Sequence, residues 1–164
     1  MRSIFIIISL IFITSCDDGN FEAPTFNFED SSAQNCGNLI LYKTNESEAL
    51  LLELNEDNTN DIFFKTEQDH KEYTLTDKIF YRTYDTAVPT DFFCSAIPPS
   101  TPKLNKEWLG SGKLIVDNTI SLNDDGSFTY VAVFTIENMV LINSSGNSIV
   151  YDTYDFGAKT GTFN

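Results

Sequence analysis

The chain has 164 residues, 24 of them acidic and 10 basic, for a net charge of −14; 41% are hydrophobic and 13% aromatic. This length supports a single hydrophobic core and therefore one domain. The acidic balance repels phosphate backbones and anionic lipid headgroups, which disfavours nucleic-acid binding and electrostatic docking on a bilayer.

The first element is an export signal. Arg2 precedes a nearly unbroken apolar run over residues 4–13, followed by Thr14, Ser15 and Cys16, with Asp17 and Asp18 directly behind. A basic start, a short apolar stretch and small residues before a cut are the parts a secretory signal needs. The run falls well short of the roughly 20 residues of a spanning helix. The rival reading is a buried N-terminal element with Cys16 in the core. Ile13-Thr14-Ser15-Cys16 resembles the bacterial lipobox. The resemblance implies cleavage between Ser15 and Cys16 and acylation of Cys16, which becomes the first residue of the mature chain. The acidic pair after Cys16 is similar to the surface-export signals of Bacteroidetes-type lipoproteins, although an inner-membrane retention signal uses the same residue type. The resemblance therefore implies a lipid anchor in the cell envelope, at the outer membrane and surface-exposed. Two or more acyl chains hold such an anchor stably.

With Cys16 assigned to lipid, Cys36 and Cys94 remain. Outside the cytoplasm an even remainder most economically forms a disulfide, although two free buried thiols are the alternative. Residues 16–36, acidic and punctuated by Pro24, read as a tether. Phe21, Phe26 and Phe28 are unusual in a tether, and residues 25–28 are expected to dock on the domain as an edge strand. The remaining residues, 37–164, form the folded unit.

That unit reads as all-β. Leu39 and Leu41 alternate with Ile40 and Tyr42, a strand covered on both faces. Thr44–Ser47 marks a turn, and residues 50–54 the returning strand, with a helix starting near Asn45 as the rival. Residues 62–65, 72–76 and 78–84 are further short strands. The proline-bearing stretch 85–106 is a long connection, which Cys94 would pin to the first strand. Leu114, Val116, Ile120 and Leu122 share one face, opposite Lys113, Asp117, Thr119 and Ser121. Asn123-Asp124-Asp125-Gly126 is a hairpin turn, residues 128–136 a central strand, and residues 139–142 and 148–156 a last hairpin around Ser144–Asn147. Short strands at regular spacing indicate an antiparallel β-sandwich or barrel. Segments such as RTYD, IPPSTP and YDFG look like those of small envelope lipoproteins of the same bacterial group, a likeness that implies no activity.

No catalytic constellation stands out. The spacing of Asp57, Thr59 and Asp61 echoes a calcium loop, but Ile62 and Gln68 occupy the positions where glycine and glutamate are required, which leaves a polar turn. His70 is the single histidine, and Gly110-Ser111-Gly112 lacks the spacing of a nucleophile elbow. No metal site and no cofactor are expected, and no enzyme activity. The leading expectation is a non-enzymatic binding or structural module for a protein partner or envelope component. The alternatives are a glycan-binding module for nutrient capture and a hydrolase using a carboxylate pair. Most aromatics should be core, with Tyr154 and Phe156 the least obviously buried and so the candidate ligand-binding pair.

Overall fold

The computed structural model describes residues 28, 32–37, 40–54, 69–97 and 99–163. The lipobox residues Ser15 and Cys16, the Asp57–Asp61 loop and the strand expected at 62–65 lie outside them. Seven strands follow one another as β1 (Gln34–Cys36), β2 (Ile40–Asn45), β3 (Glu48–Glu53), β4 (Asp69–Tyr84), β5 (Leu104–Leu122), β6 (Phe128–Asn143) and β7 (Ser148–Phe163). They form one antiparallel sheet in the order β1-β2-β3-β4-β5-β6-β7, so each strand pairs with its neighbours in sequence. The sheet curls into a half-barrel. The all-β, single-domain expectation holds. Among the described residues there is no second sheet, so the sandwich alternative does not.

Curling follows from what each face carries. The concave face holds the main core: Leu41, Leu50, Leu52, Leu75, Ile79, Leu114, Val116, Phe134, Ile136 and Phe156 are all buried in one cluster. Phe28 and Ala33 from the N-terminal side and Phe156 from the last strand share it, and Lys159 of β7 donates to Asn35 of β1, so the sheet's two ends approach each other across the concavity. Gly110 makes the bend possible. A β-carbon there would lie 2.9 Å from the Val140 carbonyl oxygen and 3.3 Å from the Ile79 β-carbon, so any larger residue would push the strands apart.

The convex face carries a second, smaller cluster over β2–β4 only. Tyr42, Ala49, Leu51, Tyr84 and Val88 are buried there, with Phe80, Phe92 and Phe93 packed against them. The cover is the connection between β4 and β5, whose short 3₁₀ turn at Phe92–Cys94 presents two rings to the sheet. Tyr42 makes edge-to-face contact with Phe93, and Tyr84 with Phe92. This explains why β2 and β3 are apolar on both faces.

Several boundaries differ from the sequence reading. Gln34–Cys36 is strand β1, and Ala33 and Phe28 are core residues, so the folded unit begins inside the segment expected to be tether. Of the edge strand expected at 25–28, only Phe28 lies among the described residues; it is in no strand, but its ring is fully buried against the core and edge-on to Tyr81. The hairpin expected around Thr44–Ser47 holds over the helical rival, one residue later: Asn45 pairs with Glu48, and Glu46 takes the positive φ of the turn. The short strands expected at 72–76 and 78–84 are one strand of 16 residues. Likewise 128–136 and 139–142 are one strand. In both, the polar interruption is a bulge rather than a turn. Asp77 and Asn138 adopt positive φ and the ladder resumes beyond them. The Ser111 hydroxyl accepts from the Asp77 amide at 2.9 Å and holds the first bulge.

The two C-terminal hairpins end in the same loop. In Asn123-Asp124-Asp125-Gly126-Ser127 and Asn143-Ser144-Ser145-Gly146-Asn147, the first amide donates to the fifth carbonyl and the glycine amide donates back to the asparagine carbonyl. Gly126 and Gly146 supply positive φ. Asp125 accepts from both the amide and the hydroxyl of Ser127, and these bonds hold its carboxyl below the usual range. The carboxylate is thus spent on the turn.

Candidate functional site

Cross-strand register builds a row of apolar side chains across the convex face. Tyr42 pairs with Leu51, Leu51 with Phe80, Phe80 with Leu109, and Leu109 with Ile142. The first three lie under the 85–103 connection. Leu109 and Ile142 lie beyond its reach and are 39% and 48% exposed. Val150, 60% exposed, pairs with Val140 beside them and widens the row into an aliphatic strip over β5–β7. The convex cover reaches only β2–β4, so the apolar side chains of the strip over β5–β7 stay exposed outside the second cluster.

An open cavity of about 740 Å³ adjoins the strip at the Asn143 hairpin loop. Leu109 and Ile142 contribute its apolar side, and Asn105, Glu107, Asn143 and Asn147 its polar side. Glu107 is held by Arg82, whose Nε donates at 2.6 Å, while the Arg82 guanidinium sits 4.8 Å over the Phe80 ring. The arrangement is an apolar floor with amide and carboxylate walls. It suits binding.

A second polar feature lies on the same face near the start of β4. His70 Nδ1 is 2.6 Å from Asp117 Oδ1, and Lys113 reaches Glu72 at 3.3 Å and Glu137 at 3.1 Å. The bond to Asp117 raises the His70 pKa above its usual value. A raised pKa means the pair helps stability at pH below the ordinary histidine value, and that help fades as pH rises through the folded-state value. In an NMR titration the His70 midpoint should therefore lie above 6.5 and fall towards it in Asp117→Asn. Equal midpoints in the two proteins would show that the pair is not formed in solution.

The remaining residues singled out in the sequence are now placed. Cys36 and Cys94 are bonded, with α-carbons 5.0 Å apart, and clamp the 85–103 cover onto β1. Tyr42 assists by donating to the Thr90 carbonyl at 2.6 Å. Tyr154 is half-buried, packs on the core and meets Tyr151 edge-to-face. Phe156 is fully buried, which corrects its reading as a surface ligand contact: it is the extra residue of the bulge between Asp155 and Gly157, and its ring joins the same core cluster that Tyr154, two residues back, packs against. Trp108 and Tyr81 are buried on the concave face. His70, being exposed and paired with two carboxylates, has no serine or cysteine bonded to it among the described residues. Among those residues no group of three or more histidine, cysteine, aspartate or glutamate side chains is placed to hold a metal ion.

The aliphatic strip was missed in the sequence. Its members come from three strands, and each alone is an unremarkable β-branched or leucine residue; only the register aligns them. No family model, no curated protein and no solved structure matches the chain.

Proposed function

We propose that the chain is a lipid-anchored protein of the cell envelope, held at the outer membrane through acylated Cys16, whose β-domain is a non-enzymatic module binding a protein partner. The observation that carries the binding reading is the exposed strip of Leu109, Ile142 and Val150 on the uncovered part of the convex face. The anchor reading rests on the lipobox-like residues at 13–16, and the Cys36–Cys94 bond is in keeping with an oxidising compartment outside the cytoplasm. With a net charge of −14, the partner that fits is one with an apolar patch inside a basic rim.

The test is crosslinking and recovery from intact cells with the wild-type chain and with Leu109→Asp and Ile142→Asp. A charge placed in the centre of a contact patch costs on the order of 2 kcal/mol or more, about thirtyfold in affinity, so the variants should lose a partner that the wild type recovers. Equal recovery would remove the strip from consideration. For the anchor, Cys16→Ser should take up no acyl label and leave the membrane fraction. A labelled, membrane-bound variant would overturn it.

The cavity supports a second reading, a glycan-binding module, because Asn105, Asn143 and Asn147 offer the amide groups that hydroxyl-rich ligands pair with. A glycan array separates the two, since binding there would be insensitive to Cys16 and sensitive to Asn143→Ala.

A further inference from the structure

The sheet's two edges are unequal. β1 is three residues long, whereas β7 runs for 16 and pairs only with β6. Towards its end β7 is approached by the N-terminal side, through the bond from Lys159 to Asn35. Along residues 148–152 no backbone bond among the described residues reaches β7 from its outer side. The hairpin decides which groups point outward there. The Asn143 amide donates to the Asn147 carbonyl, and antiparallel pairs alternate between bonded and non-bonded. Ser148, opposite Ile142, and Val150, opposite Val140, therefore fall on non-bonded positions, and Asp152 continues the alternation. Their amides and carbonyls point away from β6.

Long edges are ordinarily guarded by lysine, proline or a bulge. SIVYDTY, residues 148–154, holds no proline and no basic residue, and the register shift of β7 comes only after it. What the stretch does hold is a two-fold match to itself. Laid antiparallel on a second copy about Val150, it sets Val150 against Val150, Ser148 against Asp152, and Ile149 against Tyr151. The first pair is apolar and lies on the convex face, where Val150 is 60% exposed. The second brings a hydroxyl donor to a carboxylate. The third joins a β-branched residue to an aromatic ring, a favourable cross-strand pair, on the side where both pack against the core. An axis moved one residue, to Tyr151, sets Val150 against Asp152 and loses the match.

We infer that residues 148–152 of β7 join a second copy of this chain, edge to edge, about a two-fold axis at Val150. The outward groups of Val150, and of Ser148 with Asp152, exchange backbone hydrogen bonds in pairs across that axis. The axis is normal to the sheet, so both convex faces lie on one side and the two strips of Leu109, Ile142 and Val150 merge into one patch. Two chains of charge −14 repel each other, so the pairing tightens as salt screens them. The inference goes beyond the partner reading and does not depend on it.

The test is disulfide trapping of the full chain in intact cells, where Cys36 and Cys94 are bonded to each other. Under mild oxidant Val150→Cys should give a covalent dimer, in higher yield at raised salt. Thr153→Cys, which the axis sets against Asn147, should give none. Ser148→Cys and Asp152→Cys should each fail alone and crosslink when expressed together. Adding Val150→Pro to that pair should abolish the crosslink while sparing the ladder to β6, because the lost amide points outward. If the proline variant does not fold, Val150→Lys, which sets two like charges at the axis, takes its place. The inference is overturned by no dimer from Val150→Cys, by equal yields from Thr153→Cys, or by a crosslink that survives both axis variants. Capture of a foreign chain by Val150→Cys in place of a second copy overturns it as well.

Discussion

Phe156→Ala is expected to lower the free energy of unfolding by about 3–5 kcal/mol, the usual cost of removing a fully buried ring from a packed core. The ring has no exposed surface and belongs to the cluster that includes Phe28, Ala33 and Leu41 from the opposite end of the sheet. Removing it therefore leaves a cavity where the half-barrel closes, a place with no neighbouring strand free to collapse inward. Since domains are stable by only about 5–15 kcal/mol, the variant should sit close to unfolding at ambient temperature. Urea denaturation followed by fluorescence measures it. Tyr154→Ala, a half-buried ring two residues away, should cost clearly less. A Phe156→Ala midpoint equal to that of the wild type would mean that the ring is not in the core.

Breaking the Cys36–Cys94 bond is expected to cost roughly 4 kcal/mol by the loop-entropy relation for a closed loop of this length, the two residues being 58 apart in sequence. The loss has a local face as well. The bond ties the 3₁₀ turn to β1, so without it the Phe92 and Phe93 rings are held over Tyr42, Leu51 and Tyr84 by packing, the Tyr42–Thr90 hydrogen bond and the bond from the Val88 amide to the Glu46 carbonyl. Cys36→Ala/Cys94→Ala should show the lower stability in chemical denaturation and faster proteolysis within residues 85–103. Wild-type protein in reductant should approach the double variant. If reductant and the double substitution both leave stability unchanged, the bond does not form in the protein as folded in solution.

The sequence carried the β class, a hairpin within one residue of 45–48, the hairpin at 123–126, and the double-sided burial of β2, because alternation and turn chemistry are local signals. It carried the pairing of Cys36 with Cys94 through an argument about compartment rather than geometry. It did not carry strand length. Thr76-Asp77-Lys78 and Glu137-Asn138 look like turns in one dimension, and the decision between turn and bulge lies with the partner strand, here with Ser111 reaching the Asp77 amide. Nor did it carry the placement of Phe156. In YDFG the Phe156 ring lies on the same side as Tyr154, two residues back, and which side faces the core is decided by the pairing with β6 rather than by YDFG itself. The aliphatic strip was invisible for the same reason: it joins residues from separate strands.

The strand order also has a kinetic consequence. Every ladder in the sheet joins consecutive strands, so each hairpin can form on its own within microseconds, and contacts of low sequence separation favour rapid folding. The seam between the sheet's two ends is the exception. Lys159 meets Asn35 across a separation of 124 residues, and Phe156 joins the cluster that holds Phe28 only once all seven strands are in place. Folding thus divides into quick zippering of hairpins and a slower ring closure that waits for the final strand. A chain emerging from a membrane with its N-terminal end first would hold Phe28 open to solvent until β7 arrives. Substitutions at the seam should accordingly slow folding less than they speed unfolding, while changes in the C-terminal hairpin loops should do the reverse.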